Sequence, residues 1–151
     1  NHIQSKGFKV IGVDLSENML ALAKRKFPGV DFRIEDMRKL SFEPDSFDGI
    51  LVAYSLIHIP KNEVPDVVKQ LYNFLKPSGA IYFIVQEGKS EELFIKEPLN
   101  PKENIFLNIF SYSELKDILE RTGFAIIEKH IRTPKKNDEL NFNKLFVLAK
   151  K

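Results

Sequence analysis

Apolar residues along the chain fall into short runs separated by stretches with helical spacing. Residues 9–14, Lys-Val-Ile-Gly-Val-Asp, predict a strand buried on both faces that ends in a carboxylate. Ser16 can cap the following helix, with Glu17 in its first turn. Met19, Leu20, Ala23 and Phe27 recur at helical spacing until Pro28-Gly29 ends the pattern. Residues 30–35 alternate and predict a second strand. Residues 40–45 form a loop with Pro44, and 47–53 are a third apolar, strand-like run.

A helix then carries Val64, Val67, Val68, Leu71, Phe74 and Leu75 on one face. Asn62 as its cap places Pro65 in the first turn, where a missing N–H costs little. Lys76-Pro77-Ser78-Gly79 predicts a stop and a turn, and 80–85 a fourth strand. Residues 86–110 show no regular period and contain Gly88, Pro98 and Pro101. Ser111-Tyr112-Ser113-Glu114 fits a capping box. Leu115, Ile118 and Leu119 form the buried face of that helix, and Gly123 suits its C′ position. Residues 124–132 and 144–149 predict two last strands, joined by a polar loop with Pro134 and Asn137. Strands separated by helices imply a parallel sheet, and a final pair without a helix is most simply antiparallel. The expectation is one α/β domain over 1–151, with a mainly parallel sheet, helices on both faces and a C-terminal antiparallel strand.

Composition narrows the function classes. A chain of 151 residues with 43% hydrophobic and 29% charged residues suits a folded domain with its own core. It has no cysteine, which excludes a disulfide scaffold, a thiolate metal site and a cysteine nucleophile. The net charge is +2 and its basic residues are scattered, so Lys24-Arg25-Lys26 and Lys135-Lys136 read as solvated faces and not a nucleic-acid stripe. No apolar run reaches membrane-spanning length and no signal peptide is visible, so a cytoplasmic protein is expected. No metal-ligand spacing occurs, and His2 and His130 have no evident partners.

In open α/β sheets, ligands bind beyond the carboxyl ends of the strands. Asp14, Asp36 and the stretch from Tyr54-Ser55 to His58 all fall there. Asp14 can accept hydrogen bonds from the vicinal hydroxyls of a ribose, since Ser16 already provides the helix cap. Asp36 can accept the exocyclic amine of an adenine, and Met37 offers a backbone N–H and an adaptable apolar surface. His58 carries an imidazole, which can act as a base. Asp48 lies at the opposite end of its strand and reads as structural. Gln86 and Glu87 also reach the ligand edge. Phe94, Phe106 and Phe110 either line a pocket or pack as core.

Several of these stretches together resemble class I S-adenosylmethionine-dependent methyltransferases. Val-Ile-Gly-Val-Asp14-Leu-Ser16-Glu-Asn-Met19-Leu is similar to that family's second strand and helix, and Asp36-Met37 to the end of its next strand. Phe47-Asp48-Gly-Ile-Leu-Val-Ala-Tyr54-Ser55-Leu-Ile-His58 is similar to its fourth-strand motif. Leu75-Lys-Pro77-Ser-Gly79-Ala is similar to the turn before its fifth strand, and residues 114–124 to its last helix. The resemblance implies a Rossmann-like fold with S-adenosylmethionine as cofactor. It implies that Asp14 binds the ribose, that Leu15 and Met19 flank the cofactor, and that Asp36 and Met37 hold the adenine. Tyr54 and Ser55 would lie near the methionine portion, with His58 facing the methyl acceptor.

The family's first strand and glycine-rich loop have no counterpart here; with thirteen residues ahead of Asp14, the loop would fall before Asn1. Residues 1–6 would be the tail of the first helix, with Gly7 as its C′ residue. The family's strand order places the first strand between those ending at Asp14 and Ala53, so the expectation is an N-terminally incomplete domain. Methyl transfer from a sulfonium is an in-line displacement that needs no metal. A small-molecule acceptor is expected. Two rivals are a nicotinamide-dependent oxidoreductase using Asp14 on its ribose and a methyltransferase-like domain that binds without catalysing.

Overall fold

The computed structural model describes residues 2–96, 102–135 and 140–151. The chain falls into two compact units, Asn1–Ser41 and Phe42–Lys151. Pro98, Pro101, Lys136 and Asn137, each singled out in the sequence, lie outside the described residues.

The first unit contains α1 (His2–Ser5), β1 (Ile11–Asp14), α2 (Glu17–Lys26) and β2 (Asp31–Ile34). Gly7 closes α1 with a φ of 87°, and its N–H donates to Gln4 O at 2.9 Å. This is the C′ geometry expected of it. β1 and β2 pair in parallel, from Ile11 opposite Asp31 to Asp14 opposite Ile34. Between them the Ser16 hydroxyl accepts from Met19 N at 3.3 Å and caps α2 as predicted. Lys24, Arg25 and Lys26 occupy the last turn, where cations complement the helix dipole. Gly12 is required by packing: a Cβ there would lie 2.6 Å from the Phe32 ring. Only Leu20 of α2 is buried, while Met19 is 56% exposed.

The second unit contains β3 (Phe47–Ala53), a 3₁₀ turn (Leu56–His58), α3 (Val64–Phe74) and β4 (Leu75–Glu87). It continues with β5 (Glu91–Lys96), β6 (Asn104–Ile109), α4 (Tyr112–Thr122), β7 (Ala125–Arg132) and β8 (Asn143–Lys150). Its main sheet has the order β3-β4-β8-β7, and β5-β6 form a separate hairpin. β3 and β4 are parallel, and β8 runs antiparallel to both β4 and β7. Ile81, Phe83 and Val85 alternate along β4, and Leu145, Val147 and Ala149 along β8. All six are fully buried, and with Val64, Val67, Val68 and Leu71 of α3 and Leu115 and Leu119 of α4 they make the core. The other β3–β4 face leaves Leu51 and Tyr82 exposed. Among the described residues no helix is long and apolar enough to cross a membrane.

Three elements differ from expectation. The cap of α3 is Glu63 rather than Asn62, with no side-chain capping bond. β4 begins at Leu75, because Phe47 pairs with Leu75 and the register then shifts so that Gly49 meets Ala80. The Lys76-Pro77-Ser78-Gly79 stretch is therefore an irregularity inside a strand, with Ser78 at φ 65°. The third is β5–β6, in a region without a visible period. Ile105, Leu107 and Ile109 do alternate, but Phe106 among them and Phe110 directly after them are apolar too and mask the two-residue period.

Gly123 ends α4 in the left-handed conformation (φ 110°), and Phe124 N donates back to Leu119 O at 3.0 Å. A Cβ at Gly123 would also come within 3.1 Å of the Tyr72 hydroxyl. Gly123→Ala should cost about 1–2 kcal/mol from the left-handed conformation alone. Urea denaturation of the two proteins checks this, and an unchanged midpoint would contradict the account of this turn.

Candidate functional site

In the first unit the predicted residues emerge where β1 and β2 end. Asp14 is the last residue of β1, opposite Ile34, and its carbonyl accepts from Glu35 N at 3.3 Å. Parallel pairing thus brings Asp14 and Asp36 out at neighbouring carboxyl ends. The Asp14 carboxylate is exposed, and its Oδ1 accepts from Ser16 N at 2.8 Å. Around it Leu15 is 61%, Met19 56% and Ile34 55% exposed. A solvent-facing carboxylate within an apolar rim fits a ligand that presents both hydroxyls and a flat apolar surface, as a nucleoside does.

Asp36 is engaged within its own turn. Its Oδ1 accepts from Arg38 N at 2.9 Å, and its two oxygens accept from Arg38 Nε at 3.0 and 2.9 Å. The guanidinium beside Asp36 holds its carboxyl below the usual carboxylate range. The pairing stabilises the turn above that range and is lost on acidification through the depressed pKa. Arg38 therefore takes the lone pairs that the sequence reading assigns to an adenine amine. The i, i+2 partner could have been suspected from Asp-Met-Arg.

In the second unit Tyr54 stands directly after β3. Its N–H donates to Ile84 O at 2.9 Å, yet its φ is 56°. A left-handed tyrosine costs about 1–3 kcal/mol and persists only where the surroundings enforce it. Ser55 follows, its hydroxyl donating to Ala53 O at 3.3 Å, and Leu56–His58 make one 3₁₀ turn. Leu56 and Ile57 are buried and anchor this turn, while His58 is exposed. The His58 Nδ1 lies 3.0 Å from Phe106 O. A carbonyl can only accept, so Nδ1 carries the proton, and in the neutral ring Nε2 bears the lone pair.

The β5–β6 hairpin, missed in the sequence, is what grips this turn. Asn108 is fully buried and its Nδ2 donates to Ile59 O at 3.1 Å. Lys61 N donates to Glu92 Oε1 at 2.8 Å. Lys61 Nζ donates to Ser90 Oγ at 2.7 Å, to Glu114 Oε1 at 2.6 Å and to Ile109 O at 3.3 Å. The capping box of α4 is consequently half made. Ser111 Oγ accepts from Glu114 N at 3.2 Å, but the Glu114 carboxylate is turned to Lys61.

The remaining candidates have structural partners. Asp48 accepts from Lys76 Nζ at 2.8 Å, which holds its carboxyl below the usual range, and it is structural as expected. Gln86 is buried and accepts from Lys144 Nζ at 2.8 Å, and Glu87 accepts from Asn143 Nδ2 at 3.0 Å. Both tie β4 to β8. His130 lies beside Phe146, ring centroids 5.9 Å apart. Phe110 is core, whereas Phe94 is 74% exposed. No cluster of metal-ligating side chains occurs among the described residues.

Each unit carries parallel strands whose carboxyl ends lead into candidate residues, Asp14 and Asp36 in the first and Tyr54 in the second, and comparison with known proteins identifies the family. A family model described as a methyltransferase domain matches residues 1–79. The chain belongs to the class I S-adenosylmethionine-dependent methyltransferases, and S-adenosylmethionine is its cofactor. It is 30% identical over 135 residues to phosphoethanolamine N-methyltransferase 2 of Caenorhabditis elegans, covering 85% of this chain and 30% of that protein. It is 37% identical over 81 residues to demethylmenaquinone methyltransferase of Lactococcus lactis, covering 50% of this chain and 31% of that protein. The chain thus spans about a third of the length of these relatives. The crystal structure of a SAM-dependent methyltransferase from Methanosarcina mazei superposes with a TM-score of 0.87 at 19% identity, covering 99% of this chain and 85% of that one.

The Phe106 carbonyl fixes the neutral tautomer of His58. Nitrogen-15 NMR of the neutral imidazole should find the proton on Nδ1, and a dominant Nε2–H form would contradict this geometry.

Proposed function

We propose that the protein transfers the methyl group of S-adenosylmethionine to a small-molecule acceptor by in-line displacement. The observation that carries the reading is the exposed Asp14 carboxylate at the end of β1, rimmed by Leu15, Met19 and Ile34, in a chain of the methyltransferase family. When bound, the cofactor supplies an electrophilic methyl carbon on its sulfonium. The chain's residues bind, orient and exclude water. Aligning acceptor and methyl in this way can lower a barrier by about 7–11 kcal/mol.

In this reading Asp14 accepts the ribose hydroxyls, and Leu15 and Met19 cover the apolar surface beside them. Asp36, held by Arg38, orders the turn that presents Met37 to the adenine. Tyr54 and Ser55 serve the methionine portion. The left-handed Tyr54 directs the chain out of the sheet at that point, a device that aims side chains at a ligand. His58 takes the proton from an acceptor oxygen or nitrogen on its Nε2 lone pair. A positioned base of this kind contributes about 10²–10⁴-fold.

Isothermal titration of the full-length protein tests the reading. It should bind S-adenosylhomocysteine and show no saturable binding of NAD. Asp14→Ala should weaken S-adenosylhomocysteine binding tenfold or more, since hydrogen bonds to a charged group are worth about 1.5–3 kcal/mol each. His58→Ala should lower turnover more than cofactor affinity. An unchanged dissociation constant in Asp14→Ala would remove that residue from the site, and wild-type turnover in His58→Ala would make the histidine a packing residue.

A further inference from the structure

The β5–β6 hairpin presents one face to the segment that carries His58. In its antiparallel register Glu92 stands opposite Asn108 and Phe94 opposite Phe106. Directly opposite residues share a face of the ribbon. Two side chains of this face reach the segment after the 3₁₀ turn, Glu92 through Lys61 N and Asn108 through Ile59 O. Phe94 and Phe106 form the next row of the same face, one step toward the hairpin tip. Their rings meet edge to face with centroids 5.6 Å apart. The Phe106 carbonyl is also the group that holds the His58 ring. An aromatic pair therefore stands beside a histidine whose accepting nitrogen is turned away from its anchor.

Phe94 is 74% exposed, although its ring partner Phe106 is half-buried and Asn108 on the same face is fully buried. A large apolar ring kept in water at the rim of a polar, hydrogen-bonded hairpin has a use when a ligand covers it. The polar groups around it argue which ligand. Lys61, the cation at the His58 end of this face, already donates to Ser90, Glu114 and the Ile109 carbonyl, and its ammonium lies over the Phe110 ring at 5.5 Å, while Lys96 stands one row beyond the aromatic pair, toward the hairpin tip. Lys61 is committed to the fold and is not presented to a phosphate. Glu92 is likewise committed to Lys61 N.

We infer that Phe94 and Phe106 form the apolar wall of the acceptor site, and that the acceptor is a planar aromatic molecule whose nucleophilic oxygen or nitrogen meets His58. The ring edges and faces of the pair suit stacking on such a body. The inference rests on the methyltransferase reading above. A small phosphorylated amine would instead call for a cation presented to its phosphate beside His58, and Lys61 is committed elsewhere.

The test is calorimetric titration of the full-length protein saturated with S-adenosylhomocysteine, using 1-naphthol and phosphoethanolamine as probes. The proposal expects 1-naphthol to bind more tightly than phosphoethanolamine. It expects Phe94→Ala to weaken 1-naphthol binding at least tenfold and Phe94→Tyr to restore it. S-adenosylhomocysteine should bind all three proteins equally. The proposal is overturned if 1-naphthol does not bind, if Phe94→Ala binds it as the wild type does, or if phosphoethanolamine is preferred. Failure of the wild type to bind S-adenosylhomocysteine at all would instead overturn the methyltransferase reading.

Discussion

The bond from Tyr54 N to Ile84 O is the last rung of the β3–β4 ladder, and the second unit's candidate residues depend on it. Parallel pairing carries Gly49 to Ala53 along Ala80 to Ile84 in constant register. That register fixes where β3 stops. The left-handed backbone of Tyr54 then breaks the strand at once instead of letting it fray, and Ser55 and the 3₁₀ turn follow within four residues. The strain is held from both sides. Leu56 and Ile57 are buried below, and the hairpin fastens the segment from His58 to Lys61 above. The first unit uses the same device with less strain. Pairing of Asp14 with Ile34 ends two strands together, and the side chains that follow are the exposed ones.

The ends of the strands were legible because their chemistry is local. A β-branched run stopped by Asp14 and a Ser16 cap specify strand, turn and helix from adjacent residues, and the observed cap is the one expected. The same holds for Phe47–Ala53, whose bounds the apolar run marks directly. Gly7 and Gly123 take the left-handed positions that their places after helices imply.

What was illegible is what depends on distant partners. The hairpin carries apolar residues on both faces of β6 because one face meets the core and the other grips the 58–61 segment. A strand buried on two sides loses the alternation that would announce it. Lys61 gives no signal in sequence, since the four hydrogen bonds it donates go to residues 29 to 53 positions away. Glu114 illustrates the same limit. Its spacing from Ser111 promises a reciprocal cap, and a lysine from another element claims the carboxylate instead.

The central claim is that the residues at these strand ends, and not the helix surfaces, receive the cofactor. It is tested most directly by amide NMR of the full-length protein during titration with S-adenosylhomocysteine. The account predicts the largest shifts at Asp14, Leu15, Met19, Asp36, Met37, Tyr54 and Ser55, with the surface cleft that Asp66 and Lys69 of α3 and Asp117 and Arg121 of α4 line unmoved. Shifts confined to that helical surface, with the seven amides unchanged, would contradict it.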